Sequence, residues 1–296
     1  MKRKVKMKKY FIATIVALTL ATAGTLSFAN EKSVEADLGI KTLTFGQIEG
    51  AYQYNNDHDF TTGGGTYAGV SVERELWGTN VFGTLSGELD EDIDISARDA
   101  FIGVGLGPVE FSIGRMPSIE RNVADNTVNI FEGAYFEGDQ SSGRVGNQAK
   151  TKFSLGGVSL VGTAEVDNDF DSLDSWGAGA SYRIAGIGLV GAYAKDDVTG
   201  VSTILGGSTY TLKGVTIGGT FAQDETSAGV TTNTLSYVAQ YSLGQNDLKG
   251  GYQNIEDGTN QYILEVAHNL DENASVYVNG VHNDDNILTV GFRLSF

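Results

Sequence analysis

Apolar and polar residues alternate one by one along most of the chain beyond residue 40. The last nine residues show it plainly: Leu288, Val290, Phe292, Leu294 and Phe296 interleave with Thr289, Gly291, Arg293 and Ser295. A period of two predicts a strand with one apolar and one polar face. Val158, Leu160, Ala164 and Val166 alternate in the same way with Ser159, Thr163, Glu165 and Asp167. Leu235, Tyr237, Ala239, Tyr241 and Leu243 alternate with Ser236, Gln240 and Ser242. The pattern predicts about sixteen strands. They lie near 43–55, 66–76, 79–90, 95–106, 108–116, 148–156, 158–167, 174–184, 187–195, 201–212, 214–223, 231–243, 247–255, 260–269, 274–282 and 287–296. No shift in composition marks a second domain.

The connections also alternate. One set is tight and often contains glycine: 105–108, Gly156-Gly157, Ala185-Gly186, Lys213-Gly214 and Gly244-Gln245. The other set is longer and acidic, holding Asp57 and Asp59, Glu91 and Asp92, Asp167, Asp169 and Asp171, Asp196-Asp197, Asp224-Glu225, Glu256-Asp257 and Asp284-Asp285. A soluble sandwich has no reason to place its acids in every second connection. A transmembrane antiparallel barrel does have short turns at one end and long loops at the other, with apolar residues facing lipid and polar ones facing the lumen. Forty glycines, two prolines and the lack of a long apolar run beyond residue 29 fit that fold. Trp77 and Trp176 are expected in interfacial girdles.

The N-terminus reads as a secretory signal: Lys2, Arg3, Lys4, Lys6, Lys8 and Lys9, then an apolar stretch over 11–20, then Ser27-Phe28-Ala29. Cleavage after Ala29 would leave 267 residues, 30–296, as the barrel; an uncleaved anchor is the alternative. Six of the 20 basic residues would leave with the signal, taking the net charge from −17 to −23. That excludes nucleic acid as a partner and favours cations, as cargo or as bridging ions. There is no cysteine, so something other than disulfides must hold an exported chain together, and a closed hydrogen-bonded barrel would suffice.

Residues 118–147 form a connection far longer than any other, and they include Ile130, Phe131, Tyr135 and Phe136. Such a segment is expected to be ordered and packed inside the barrel. The stretches Arg98-Asp99-Ala100-Phe101-Ile102-Gly103 and Val109-Glu110-Phe111-Ser112-Ile113-Gly114-Arg115 resemble the fourth and fifth strands of trimeric general diffusion porins of the bacterial outer membrane. Phe45-Gly46-Gln47-Ile48-Glu49-Gly50 is similar to the opening of their first strand, Thr66-Tyr67-Ala68-Gly69 to the start of their second, and the terminal Phe296 to their C-terminal assembly signal. Strands seven to fifteen match in rhythm only. The resemblance implies a 16-stranded barrel whose third outer loop folds into the lumen, homotrimeric assembly, and location in the outer membrane of a Gram-negative, diderm bacterium. It also implies opposed charges across a narrow gap, acids on the loop facing arginines on the wall.

By that resemblance Glu132, Glu137 and Asp139 are the loop acids, with ordinary solvated loop acids as the alternative, and Arg115 is a wall base. Strict alternation objects to Arg115, which shares parity with Val109, Phe111 and Ile113. A bulge at the strand end would bring it inward, and without one it is a rim residue reaching to headgroups. Arg293, Lys150, Lys152 and Arg183 have lumen parity, as do the acids Glu88, Glu110, Glu165 and Glu265. The family's second-strand arginine is missing at Gly69, where Arg74 is nearest, so the field should favour cations.

No cofactor, metal or catalytic residue is expected. An outer-membrane barrel protease would use Asp and His at an extracellular rim, where His58 and His282 lie beside acids; His268 is the third histidine. No hydrolase or nucleotide motif stands in the right context. No acidic run has calcium-loop spacing, so only a diffuse bridging of lipopolysaccharide remains for divalent ions. A structural or adhesive barrel with a blocked lumen is the other alternative. Against it, the inward positions of strands seven to thirteen are mostly Ser, Thr, Gly, Ala and Gln, which leave room for water. The expectation is therefore a water-filled channel for passive diffusion of ions and small hydrophilic solutes, assembled through its C-terminal strand by the barrel-assembly machinery.

Overall fold

A computed structural model of the chain describes residues 34–36, 40–54, 59–61, 66–89, 95–125, 127–131, 136, 143–166, 172–256, 258–283 and 286–296. Sixteen of its strands close into one antiparallel barrel. They are β1 (Ile40–Tyr54), β2 (Tyr67–Leu76), β3 (Thr79–Leu89), β4 (Ile95–Leu106), β5 (Val109–Pro117), β6 (Arg144–Leu155), β7 (Val158–Val166) and β8 (Leu173–Ile184). The second half holds β9 (Ile187–Asp196), β10 (Ser202–Leu212), β11 (Val215–Glu225), β12 (Thr231–Leu243), β13 (Asn246–Ile255), β14 (Gln261–Asn269), β15 (Ala274–His282) and β16 (Asn286–Ser295). Two three-residue strands, Val34–Ala36 and Asp59–Thr61, pair with the two ends of β1. A helix, α1 (Ile119–Asp125), follows β5. The expected signal segment, 1–29, lies outside the described residues.

Each strand pairs with its sequence neighbour, and β16 closes the ring on β1 from Leu288↔Tyr54 to Ser295↔Gln47. Closure leaves no unpaired edge, which a structure immersed in hydrocarbon requires. Outward positions such as Leu85, Ile102, Leu160, Leu264 and Val290 are exposed, and together they make an apolar belt. Trp77 sits fully exposed in the short β2–β3 turn, while Trp176 packs against Tyr193 with the rings tilted and their centroids 5.3 Å apart, near the long-connection end.

Phe296 extends the seam by one residue. Its N–H donates to Gly46 O at 3.0 Å, and the Gly46 N–H donates back at 2.8 Å. A Cβ on Gly46 would lie 2.5 Å from Phe296 Cζ, so the glycine makes room for the terminal ring. Deleting Phe296 is expected to lower the yield of heat-modifiable barrel in outer-membrane fractions. A wild-type yield would mean that the seam forms without this residue.

The expected strand limits differ most at β6, which begins at Arg144 rather than 148. Its ladder with β5 crosses an irregularity, from Gly114↔Gln148 to Met116↔Val145, and Asn147 there has φ 49°. An extra residue in the left-handed region breaks the alternation that the sequence reading relies on.

The buried apolar side chains gather inside the barrel, where the long connection meets the wall. Ile119 and Val123 of α1 pack with Ala192, Ala194, Leu205 and Ala222. Further along, Val128, Phe131 and Phe136 pack with Val238 and Ile263.

Candidate pore constriction and lumen wall

The inserted segment lies on a floor of small wall residues. Ile119 rests against Gly177 and Gly179, and the Thr127 carbonyl sits where a Cβ on Gly218 would need to be. The rings of Phe131 and Phe136 meet edge to face, 5.9 Å apart at 87°, over Gly251. Several inward glycines therefore hold the loop instead of leaving room for water. Leu205, Val238 and Ile263 interrupt the polar inward register at the same places, because a loop carrying large apolar side chains needs an apolar footing. Burying each of the two rings contributes roughly 1.5–3 kcal/mol toward holding the loop inward. α1 opens on Ser118, whose hydroxyl accepts from Arg121 N–H at 3.2 Å as an N-cap. The loop acids Glu132, Glu137 and Asp139 lie outside the described residues.

The wall residues fall into separate groups. Lys150, Lys152 and Arg183 line a cavity of about 600 Å³ between α1 and strands β6 to β9. Lys152 Nζ lies 3.5 Å from Glu110. Arg293 stands opposite Glu49 in the β16–β1 register, 3.5 Å from its carboxylate, and Glu49 also accepts from the Tyr277 hydroxyl at 2.7 Å. Glu265 is sealed in the wall with Lys249, Nζ to Oε1 3.0 Å. Glu165 accepts from the Ser175 hydroxyl at 2.9 Å. Arg115 joins none of these groups. The register irregularity beside it spends its extra residue on β6, so Arg115 stays paired with Ala100, on the side that carries Ile102 and Val104. Its Nε donates to the Ala97 carbonyl at 2.8 Å.

The arginines that do meet acids on the wall of β3 to β6 are Arg98 and Arg144. Arg98 is an extra residue in β4, where the pairing with β3 steps from Ser86↔Asp99 to Gly87↔Ala97. Its guanidinium lies 3.5 Å over the Tyr67 ring, with Glu88 at 3.8 Å and Asp99 at 3.7 Å. Asp99 also accepts from Arg144 at 2.7 Å and from the Ser86 hydroxyl at 3.0 Å. Only the bulge turns Arg98 inward beside Asp99, so no alternation count could assign it. At Gly69 the Phe45 ring fills the space of the missing side chain, and Arg74 pairs with the outward Val81. Among the described residues no histidine touches a carboxylate: His268 is 2.9 Å from Asn246 and His282 2.7 Å from Asn286, while His58 lies outside them.

Charged groups on the wall of a lumen narrowed by an inserted loop can order water and sort solutes by size and charge. Solved structures share this architecture at low sequence identity. A loop L8 deletion mutant of OmpT, an outer membrane protein of Vibrio cholerae, aligns with TM-score 0.75 at 15% identity, covering 87% of this chain and 100% of that one. Salmonella typhi OmpF, in complex with daunomycin, aligns at 0.73 and 17%, covering 90% and 100%. The trimer form of Vibrio cholerae OmpT aligns at 0.71 and 14%, covering 87% and 100%. Sequence comparison finds no match to a curated protein. A family model described as Gram-negative porin matches residues 13–287. With a match over nearly the whole length and a closed barrel of sixteen strands narrowed from within, the chain belongs to the Gram-negative porins of the outer membrane.

Proposed function

We propose that this porin is a passive, cation-preferring channel for ions and small hydrophilic solutes, and that it does no covalent chemistry. The observation that carries the reading is the seating of Ile119, Val123, Val128, Phe131 and Phe136 on the inner wall, with a cavity left open beside α1. A loop held there narrows the channel without filling it. Residues 118–147 are then the constriction loop, and Glu132, Glu137 and Asp139 its acidic side.

Charge balance supports the preferred sign. Glu88, Glu110 and Glu265 have cationic partners, as do Asp99 and Glu49. Glu165 has only a hydroxyl, but Lys150 and Arg183 make no ion pair among the described residues either, so the preferred sign rests on the chain as a whole, which carries 37 acids against 20 bases. Unpaired negative charge in a water-filled lumen raises the local concentration of cations. The protein assembles as a homotrimer in this reading, and a trimer form of Vibrio cholerae OmpT is among the solved structures with this fold. Acids in the long connections bridge lipopolysaccharide through divalent ions, and the C-terminal strand engages the assembly machinery after a signal over 1–29 has been removed.

The test is the reversal potential of purified protein in a planar bilayer under a KCl gradient. The wild type is expected to give stepwise conductance with a cation-selective potential. Neutralising Glu132, Glu137 and Asp139 together should move that potential toward zero. An unmoved potential would place the filter elsewhere.

A further inference from the structure

The cavity beside α1 has a chemistry of its own. In the register of β6 to β9, Lys152 faces Val161, which faces Gly179; the next inward row toward the short turns runs Ser159, Ser181, Val190. Arg183 follows one row later, opposite Gly188. Two lysines on β6 and an arginine on β8 thus border a wall that carries the half-buried Val161 and Val190, both packed against the cluster of Ile119 and Val123 at the edge of the cavity. Lys150 and Arg183 make no ion pair among the described residues, and Glu110 is the single carboxylate paired with the group, through Lys152. Three cations against one acid leave the cavity positive in a strongly acidic chain. Its volume, about 600 Å³, falls within the roughly 300–1,000 Å³ typical of sites for small organic ligands.

We propose that this cavity is a subsite for amphipathic organic carboxylates, with the carboxylate among Lys150, Lys152 and Arg183 and the apolar body on Val161 and Val190. A hydrated inorganic ion would use the charges and gain nothing from the valines. A neutral apolar solute would use the valines and leave the cations unpaired. A carboxylate on a hydrocarbon body uses both. The proposal rests on the reading of the lumen as an open channel. It gives the pore two unlike stretches, an acidic filter at the loop and a basic, partly apolar subsite toward the short turns.

Sodium benzoate added to the whole protein in a planar bilayer at constant KCl tests the proposal. Benzoate is expected to reduce the KCl conductance saturably, while acetate and benzyl alcohol do so at markedly higher concentrations. The Lys150→Gln/Lys152→Gln variant should need about tenfold more benzoate for half-block, the size of a lost charge-assisted contact in partly hydrated surroundings. Lys150→Arg/Lys152→Arg should keep the block, which guards against a folding defect. Equal block by acetate, or undiminished block in the glutamine variant, would overturn the subsite while leaving the channel reading intact. Wild-type protein with no KCl conductance at all would remove the channel reading and the subsite with it.

Discussion

Replacing Lys249 by methionine is expected to destabilise the barrel by about 3–5 kcal/mol, the usual cost of stranding one partner of a buried ion pair. Lys249 and Glu265 face each other in the β13–β14 register, with Nζ 3.0 Å from Oε1. Their side chains are 2% and 0% exposed, so neither charge has bulk water to fall back on. Asn279, Thr289 and Gln253 are buried on the same stretch of wall. A carboxylate left there without its ammonium loses most of its compensation for desolvation. Thermal unfolding of the purified barrel, followed by its heat-modified gel mobility, should show the loss in Lys249→Met and a similar one in Glu265→Leu. The double variant should recover most of it, because two apolar groups of similar volume need no partner. Single variants as stable as the wild type would mean that the pair is hydrated in solution.

This pair also marks where a reading of the sequence stops. Glu265 has inward parity and reads as a lumen charge, but its neutralisation depends on a register that the β13–β14 connection sets. The outward face was more legible than the inward one for a physical reason. Lipid makes a single demand, so Leu288, Val290 and Phe292 spell it out in order. The inner face answers to water at some heights and to the inserted loop at others, and both can use small residues. Gly251 and Ser181 look equally permissive in sequence, although one carries two phenyl rings and the other lines the open cavity beside α1. Bulges are the second blind spot. Arg98 turns inward only because β4 has one more residue than β3 can match, while the resemblance that pointed to Arg115 depended on an irregularity that occurs on β6.

The floor of the loop offers the most direct test of whether the constriction is held from below. A side chain at Gly251 has nowhere to go: a Cβ would lie 2.6 Å from Phe136 Cζ and 2.8 Å from Phe131 Cζ. Gly251→Leu should therefore lift both rings from the wall, at an overpacking cost of about 1–3 kcal/mol. Ile119 and Thr127 still anchor the start of the segment, so the lifted part can move only toward the pore axis. Single-channel conductance in KCl is expected to fall, with added open-channel noise as the loop samples more than one seat. Gly250 supplies the control one residue away. It faces outward, and a Cβ there would meet Leu264 Cδ2 at an ordinary 3.5 Å. Gly250→Leu should leave conductance at the wild-type level. Equal conductance in both variants and the wild type would mean that the rings at Gly251 do not position the narrowest part of the channel, and that the wall charges themselves set it.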